Sequence, residues 1–233
     1  MRRIGLLGGM SWQSTITYYR HLNEEVNARL GGQHSADLVI WSGDFAPVAR
    51  CTAERDWDTL ARILVEAGKG LVAQGAELLV IAANTSHVVA DQVEAYAGAP
   101  VINMIDATAH RLEEVGVGRA ALLGTAAVME EPFYAERMAA NGIEVVVPSE
   151  EARKEIGRII FEELVLGTVN DGSHRTLVDT MDILADQGAE GAILGCTELS
   201  LILDEDDARI PGFDTTRIHA EAAVEAALGS SRW

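Results

Sequence analysis

The 233-residue sequence predicts an α/β protein of two pseudo-symmetric α/β domains with mainly parallel central sheets, and three observations carry that prediction. Short apolar runs alternate with longer amphipathic stretches from end to end, the pattern of strand–helix units whose helices cover a parallel sheet. Segments in the first half recur in the second at nearly fixed offsets, the signature of an internal repeat. Apolar residues make up 48% of the chain and prolines number only 5, which fits ordinary globular units and excludes disorder or collagen-like repetition.

Taken in order, the first strand is Ile4–Leu7. It ends in Gly8-Gly9 and leads to a helix that starts near Ser11 or Ser14 and carries Tyr18, Tyr19, Leu22 and Val26. Further strands are expected at Leu38–Trp41, Leu78–Ala82, Val101–Met104, Ala120–Leu123, Ile143–Val147 and Ala192–Leu194. Between them, Trp57–Ala73, Ile156–Leu166 and Leu177–Gln187 repeat apolar residues at helical spacing, and His219–Leu228 closes the chain as a helix rich in Ala and Glu. The repeat aligns Arg3-Ile4-Gly5-Leu6-Leu7-Gly8-Gly9 with Arg119-Ala120-Ala121-Leu122-Leu123-Gly124-Thr125, 116 positions on. It also aligns Gly75–Thr85 with Gly188–Glu198, 113 positions on. The expected halves are residues 1–100 with the C-terminal helix 214–233, and residues 101–213, with no Pro/Gly/Ser-rich linker at the seam.

Asp and Glu number 36 against 18 Lys and Arg, and the formal charge of −18 repels phosphate backbones and anionic lipid alike. Nucleic-acid and membrane partners are not expected. No stretch approaches the roughly 18–20 apolar residues that span a bilayer, and the short, Gly-rich opening does not read as a signal peptide. The expected location is the cytoplasm. Cys51 and Cys196 are the two cysteines, and neither they nor the six His show metal-ligand spacing, so no metal is expected.

Ligands of open parallel sheets bind just beyond the C-terminal strand ends, which selects Gly8-Gly9-Met10-Ser11, Ala83-Asn84-Thr85, Gly124-Thr125 and Cys196-Thr197-Glu198. With the halves facing each other, the strand ends before Ala83 and before Cys196 would address one ligand from opposite sides. Cys196 follows an apolar strand and a Gly and precedes an expected helical turn, whose N–H groups would favour thiolate and lower its pKa. Cys51 has no such setting and reads as core filler. Asn84, Thr85 and Thr197 suit a carboxylate, although helix capping is the ordinary use of such residues. The Gly8-Gly9 turn lacks both the G-x-G-x-x-G and the P-loop pattern, so a nucleotide cofactor is weakly indicated. His87 and His219 read first as satisfied structural residues, and Asp44, Asp106 and Asp214 as capping groups.

At these residues the sequence closely resembles the aspartate/glutamate racemase family, the pyridoxal-phosphate-independent amino-acid racemases. The likeness rests on Ile4–Trp12 with Ser14-Thr15, Asn84-Thr85 with His87, Leu194-Gly195-Cys196-Thr197-Glu198, and Phe213-Asp214-Thr215-Thr216 with His219-Ala220. The first and third of these are specific to the family. The resemblance implies an active site in the interdomain cleft, a homodimer, no cofactor, and an acidic amino acid, aspartate or glutamate, as the small-molecule substrate. It further implies that a Cys from each half flanks the substrate α-carbon, one thiolate removing the α-proton and the opposite thiol returning one. Cys196 holds the second-half position, whereas Ala83 stands where the first catalytic Cys is usual.

Because Ala has no exchangeable proton, the resemblance leaves three outcomes open: a racemase that is impaired or one-sided, a cofactor-free decarboxylase or other lyase with one-sided protonation by Cys196, and a non-catalytic binding protein. In the racemase reading, Asn84, Thr85 and Thr197 would grip the α-carboxylate, Met10 and Thr125 would line the cleft, and Thr52, in the loop after the second strand, is a candidate hydrogen-bond donor. Relatives hold the distal carboxylate with a base near Leu164-Val165-Leu166-Gly167, where this chain has none; Arg50 or Arg55 could stand in.

Overall fold

The computed structural model describes residues 1–229, so residues 230–233 of the expected C-terminal helical segment lie outside it. The chain divides into two compact units, Met1–Met104 together with the stretch from Thr216, and Ile105–Thr215. The first contains β1 (Ile4–Gly8), α1 (Trp12–Leu30), β2 (Leu38–Ser42), α2 (Phe45–Glu54), α3 (Trp57–Ala73) and β3 (Leu78–Ile81), then a 3-10 turn at Thr85–Val89, α4 (Ala90–Ala97) and β4 (Val101–Ile102). After α5 (Met104–Glu114), the second contains β5 (Arg119–Gly124), α6 (Ala126–Glu130), α7 (Pro132–Ala140), β6 (Glu144–Val146), α8 (Glu150–Arg158), α9 (Asp171–Asp186), β7 (Gly191–Gly195) and β8 (Gly212–Asp214). Helix α10 (Thr215–Ala227) returns to the first unit.

Each unit has a four-stranded parallel sheet with one strand order, β2-β1-β3-β4 in the first and β6-β5-β7-β8 in the second. The repeat read from sequence is also a repeat of register: Ile4 pairs with Leu78, and Ala120 with Gly191. Equivalence extends below the strands, where Glu77 N–H donates to the Arg3 carbonyl and Glu190 N–H to the Arg119 carbonyl, both at 2.8 Å. β4 pairs with β3 at the edge of the first sheet.

The central strands β1, β3 and β7 are buried along their whole length, and β5 from Ala120 onward, because helices cover both faces. Each unit holds an apolar core among its described residues. Leu7, Leu64, Leu79, Ile81 and Val93 pack in the first, and Leu122, Leu123, Ile156, Leu177 and Ile193 in the second. Capping follows the chemistry of the sequence: Ser11 accepts from Ser14 N–H, Asp44 from Ala46 N–H, and Asn170 from Ser173 N–H. Asp106 instead makes a two-pronged ion pair with Arg137, with oxygens at 2.8 and 2.7 Å.

Several elements depart from expectation, three of them near candidate residues or completing a sheet. The helix expected at Ile156–Leu166 starts earlier, as α8, and then widens into a π turn at Ile159–Glu163 followed by a 3-10 turn at Leu164–Leu166. There the Glu163 carboxylate gathers Arg158, Ser173 and Asn170, which holds its pKa below the usual carboxylate range, chiefly through the Ser173 and Arg158 hydrogen bonds. Thr52 lies on the last turn of α2, not in a loop, because Asp44 caps that segment into a helix. β8, too short to give a periodic signal, completes the second sheet beside β7.

Helix α10 is tied into the first unit by a buried polar chain. Tyr18 Oη and His219 Nδ1 lie 2.8 Å apart, and His219 Nε2 lies 2.6 Å from the Ile102 carbonyl. That carbonyl only accepts, so Nε2 carries a proton, and in the neutral ring that burial favours Nδ1 accepts from Tyr18. Burial, then the neighbouring His87, pushes the His219 pKa down to about 3. The unfolded chain therefore binds a proton at His219 that the folded chain excludes, so stability is full above the unfolded pKa near 6.5 and falls as pH drops below it. Urea unfolding at pH 7.5 and 5.0 should show this residue contributing a loss of about 2 kcal/mol on acidification, and His219→Gln should remove that share of the pH dependence.

Candidate active site

In the second unit, β5 and β7 run side by side to their C-terminal ends, with Gly124 opposite Gly195. A Cβ on Gly124 would lie 2.8 Å from the Gly195 carbonyl oxygen, and one on Gly195 would lie 2.9 Å from that of Leu123. Only two glycines allow this approach, and it sets where the next residues, Thr125 and Cys196, leave the sheet. Thr125 caps α6, accepting from Val128 N–H. Cys196 is 8% exposed, a free thiol at the edge of the core.

The Cys196 thiol donates to Glu198 Oε2 at 3.1 Å, and the Thr197 hydroxyl donates to the same oxygen at 2.6 Å. This reverses the expected electrostatics. The turn beyond, Leu199–Leu201, is a three-residue 3-10 segment and has no helix dipole of consequence. Burial, then the adjacent Glu198 charge that also accepts the S–H bond, pushes the Cys196 pKa well above the usual cysteine range. Cys196 therefore rests as a thiol and not as the thiolate that a helix N-terminus would favour. Glu198, expected only to begin a helical turn, adds to the effect of burial; its spacing of two from Cys196 was the available signal.

In the first unit, the equivalent strand ends belong to β1 and β3. Gly9 has φ +77° and approaches so closely that a Cβ would lie 2.6 Å from Gly43 N. Its N–H donates to Thr15 Oγ1 at 2.8 Å, and Ser14 N–H is taken by Ser11, so this turn spends donors internally that a phosphate cradle would need. Met10 is buried and accepts from the Ser86 hydroxyl, which brings the ends of β1 and β3 together. Ala83 occupies the position that the register of the repeat makes equivalent to Cys196. Asn84 is buried at 5% exposure and makes no side-chain cap bond, while Thr85 opens the 3-10 turn. His87 is structural: its Nε2 accepts from Met104 N–H, so Nδ1 carries the proton and donates to the Ala83 carbonyl at 2.9 Å.

The first unit thus gathers Met10, Ala83, Asn84 and Thr85 at one pair of strand ends, and the second gathers Thr125, Cys196 and Thr197 at the other. Thr52 belongs to α2, and Arg50 and Arg55 are exposed. Cys51 lies in the first core, as expected of filler. A hollow of about 360 Å³ between β2 and α3, lined by Ile40, Trp41, Ile63 and Gln74 among others, includes none of the candidate residues. Among the described residues no three His, Cys, Asp or Glu side chains group as a metal site, and no helix is long and apolar enough to cross a membrane.

The model of the Asp/Glu/Hydantoin racemase family matches residues 7–223. The chain belongs to that family. A Yersinia pestis protein proposed to be an Asp/Glu racemase has a crystal structure that superposes with a TM-score of 0.93 at 44% identity, covering 98% of this chain and all of that one. An aspartate racemase homologue from Pyrococcus horikoshii OT3 gives 0.88 at 35% identity, with 98% and 100% coverage. The broad specificity amino-acid racemase RacX of Bacillus subtilis (strain 168) is 22% identical over 231 residues, 97% of this chain and 98% of its own length. Family and fold therefore agree over residues 7–223, and within this racemase-family chain the tight Gly124–Gly195 contact underlies the Cys196 turn. Gly124→Ala should lower unfolding free energy by about 1–3 kcal/mol, measured by urea denaturation, because the new methyl meets backbone that cannot yield.

Proposed function

We propose that this chain acts at the α-carbon of an acidic amino acid, aspartate or glutamate, by cofactor-independent thiol acid/base chemistry at Cys196, as a racemase with one thiol in place of two. The observation that carries this reading is the placement of Cys196 at the C-terminal end of β7, where open parallel sheets bind ligands, in a chain of the racemase family. Thr125 and Thr197 in the second unit, and Met10, Asn84 and Thr85 at the equivalent strand ends of the first, are the candidate substrate-binding groups, with Thr52 on α2. Donors on the α-carboxylate would stabilise the enediolate-like charge that builds as the α-proton leaves. A second reading, one-sided protonation after decarboxylation, is favoured by the resting thiol at Cys196 and by Ala83; release of carbon dioxide from disubstituted malonates would support it.

Proton NMR in deuterium oxide, with polarimetry on the same samples, follows loss of the α-proton from each enantiomer of aspartate and glutamate. Exchange is expected and should fall by about 10²–10⁴ in Cys196→Ser, the usual worth of a positioned acid/base. Exchange that persists in that variant removes Cys196 from the mechanism. Neutral amino acids belong in the same panel, since RacX is described as broad in specificity. Ala83→Cys should raise the rate of inversion relative to exchange, because it adds a thiol at the equivalent strand end; an unchanged ratio would show that residue 83 does not limit the second proton transfer.

A further inference from the structure

We propose that Glu198 is a positioning and proton-holding residue for Cys196: its carboxylate keeps the sulfur as a thiol in the resting protein and receives that proton when the sulfur acts as base. The inference rests on the reading of Cys196 as the acid/base. Its geometric ground is the shared oxygen, since Glu198 Oε2 accepts from Cys196 Sγ at 3.1 Å and from Thr197 Oγ1 at 2.6 Å. The Thr197 bond fixes the carboxylate rotamer, so Oε2 stays within reach of the sulfur.

The internal repeat supplies a control within the same chain. At the equivalent end of β3, Ala83 stands in place of Cys196 and Thr85 in place of Glu198, so the strand end that lacks the thiol also lacks the carboxylate. Both halves nevertheless close a hydrogen-bonded turn directly afterwards, His87 N–H to the Asn84 carbonyl and Leu199 N–H to the Cys196 carbonyl, each at 3.1 Å. The turn does not need a glutamate; the thiol is what accompanies one.

The charges facing the sulfur reinforce this pairing. Glu198 is the ionised group that acts on Cys196; the β5–α6 side contributes Thr125, which does not titrate, and on β8 Asp214 pairs two residues lower, opposite Leu194. Ionising the thiol to solvent would set a second negative charge beside the Glu198 carboxylate in a buried place. Passing the S–H proton to Glu198 leaves a thiolate and a neutral carboxylic acid, so the pair keeps one negative charge throughout. The thiolate then takes the α-proton and is a thiol again. In the reverse sense the thiol gives its proton to the α-carbanion and recovers one from protonated Glu198.

The test is the pH profile of Cys196 alkylation by iodoacetamide in the full chain without substrate, read by mass spectrometry of the Cys196 peptide so that Cys51 does not contribute. Glu198→Gln should move the midpoint down by about one pH unit or more, giving about tenfold faster labelling below it, and Glu198→Asp should fall between. In deuterium oxide, α-proton exchange by Glu198→Gln should lose kcat more than KM, with a displaced pH profile. An unmoved alkylation midpoint in a Glu198→Gln protein of unchanged melting temperature overturns the proposal. A moved midpoint together with exchange that survives Cys196→Ser would instead overturn the role given to the thiol and leave the coupling standing.

Discussion

The pairing of the two central strands in each unit, β1 with β3 and β5 with β7, is the constraint on which the rest depends. Parallel strands buried on both faces can be displaced only in steps that break every ladder hydrogen bond and reverse the faces of their side chains. Their register therefore fixes, together, which residues emerge at the C-terminal edge. In the second unit that edge is drawn in by Gly124 and Gly195, and what emerges is Thr125 and Cys196. In the first it is drawn in by the Gly9–Gly43 contact and by Met10 on Ser86, and what emerges is Ala83, Asn84 and Thr85. The chemistry open to each half follows from which side chain the shared register delivers.

Most of the architecture was legible because the signals were strong and local. Trp57–Ala73 has helical periodicity along its whole length and forms α3 with those bounds. The offsets of 116 and 113 marked equivalent strands, and the backbone honours them residue for residue, down to the Arg3–Glu77 and Arg119–Glu190 contacts below the sheets. What escaped was set by tertiary contact. The break after Arg158 depends on Arg158, Asn170 and Ser173 converging on Glu163, residues up to ten positions from it. β8 is three residues long and is held by its neighbour, not by propensity.

The site shows the same division. Cys196 could be picked out from the strand before it, but its protonation could not, because the expected helix N-terminus is a three-residue turn and the thiol is buried beside a carboxylate two residues on. His87 and His219 were rightly read as structural. Their partners, the Ala83 carbonyl, Met104 N–H, Tyr18 and the Ile102 carbonyl, include groups more than a hundred positions away in sequence, which no local pattern announces.

The return of α10 to the first unit has a consequence for the order of events on the ribosome. Residues 105–215 form a continuous stretch with its own sheet and core, so the second unit can assemble as soon as it has left the exit tunnel. The first unit, although made earlier, must wait for His219 to reach Tyr18 and the Ile102 carbonyl. Throughout that wait, the Tyr18 surface that His219 will meet stays open to chaperones and proteases. In this protein vectorial synthesis and the order of folding run in opposite directions.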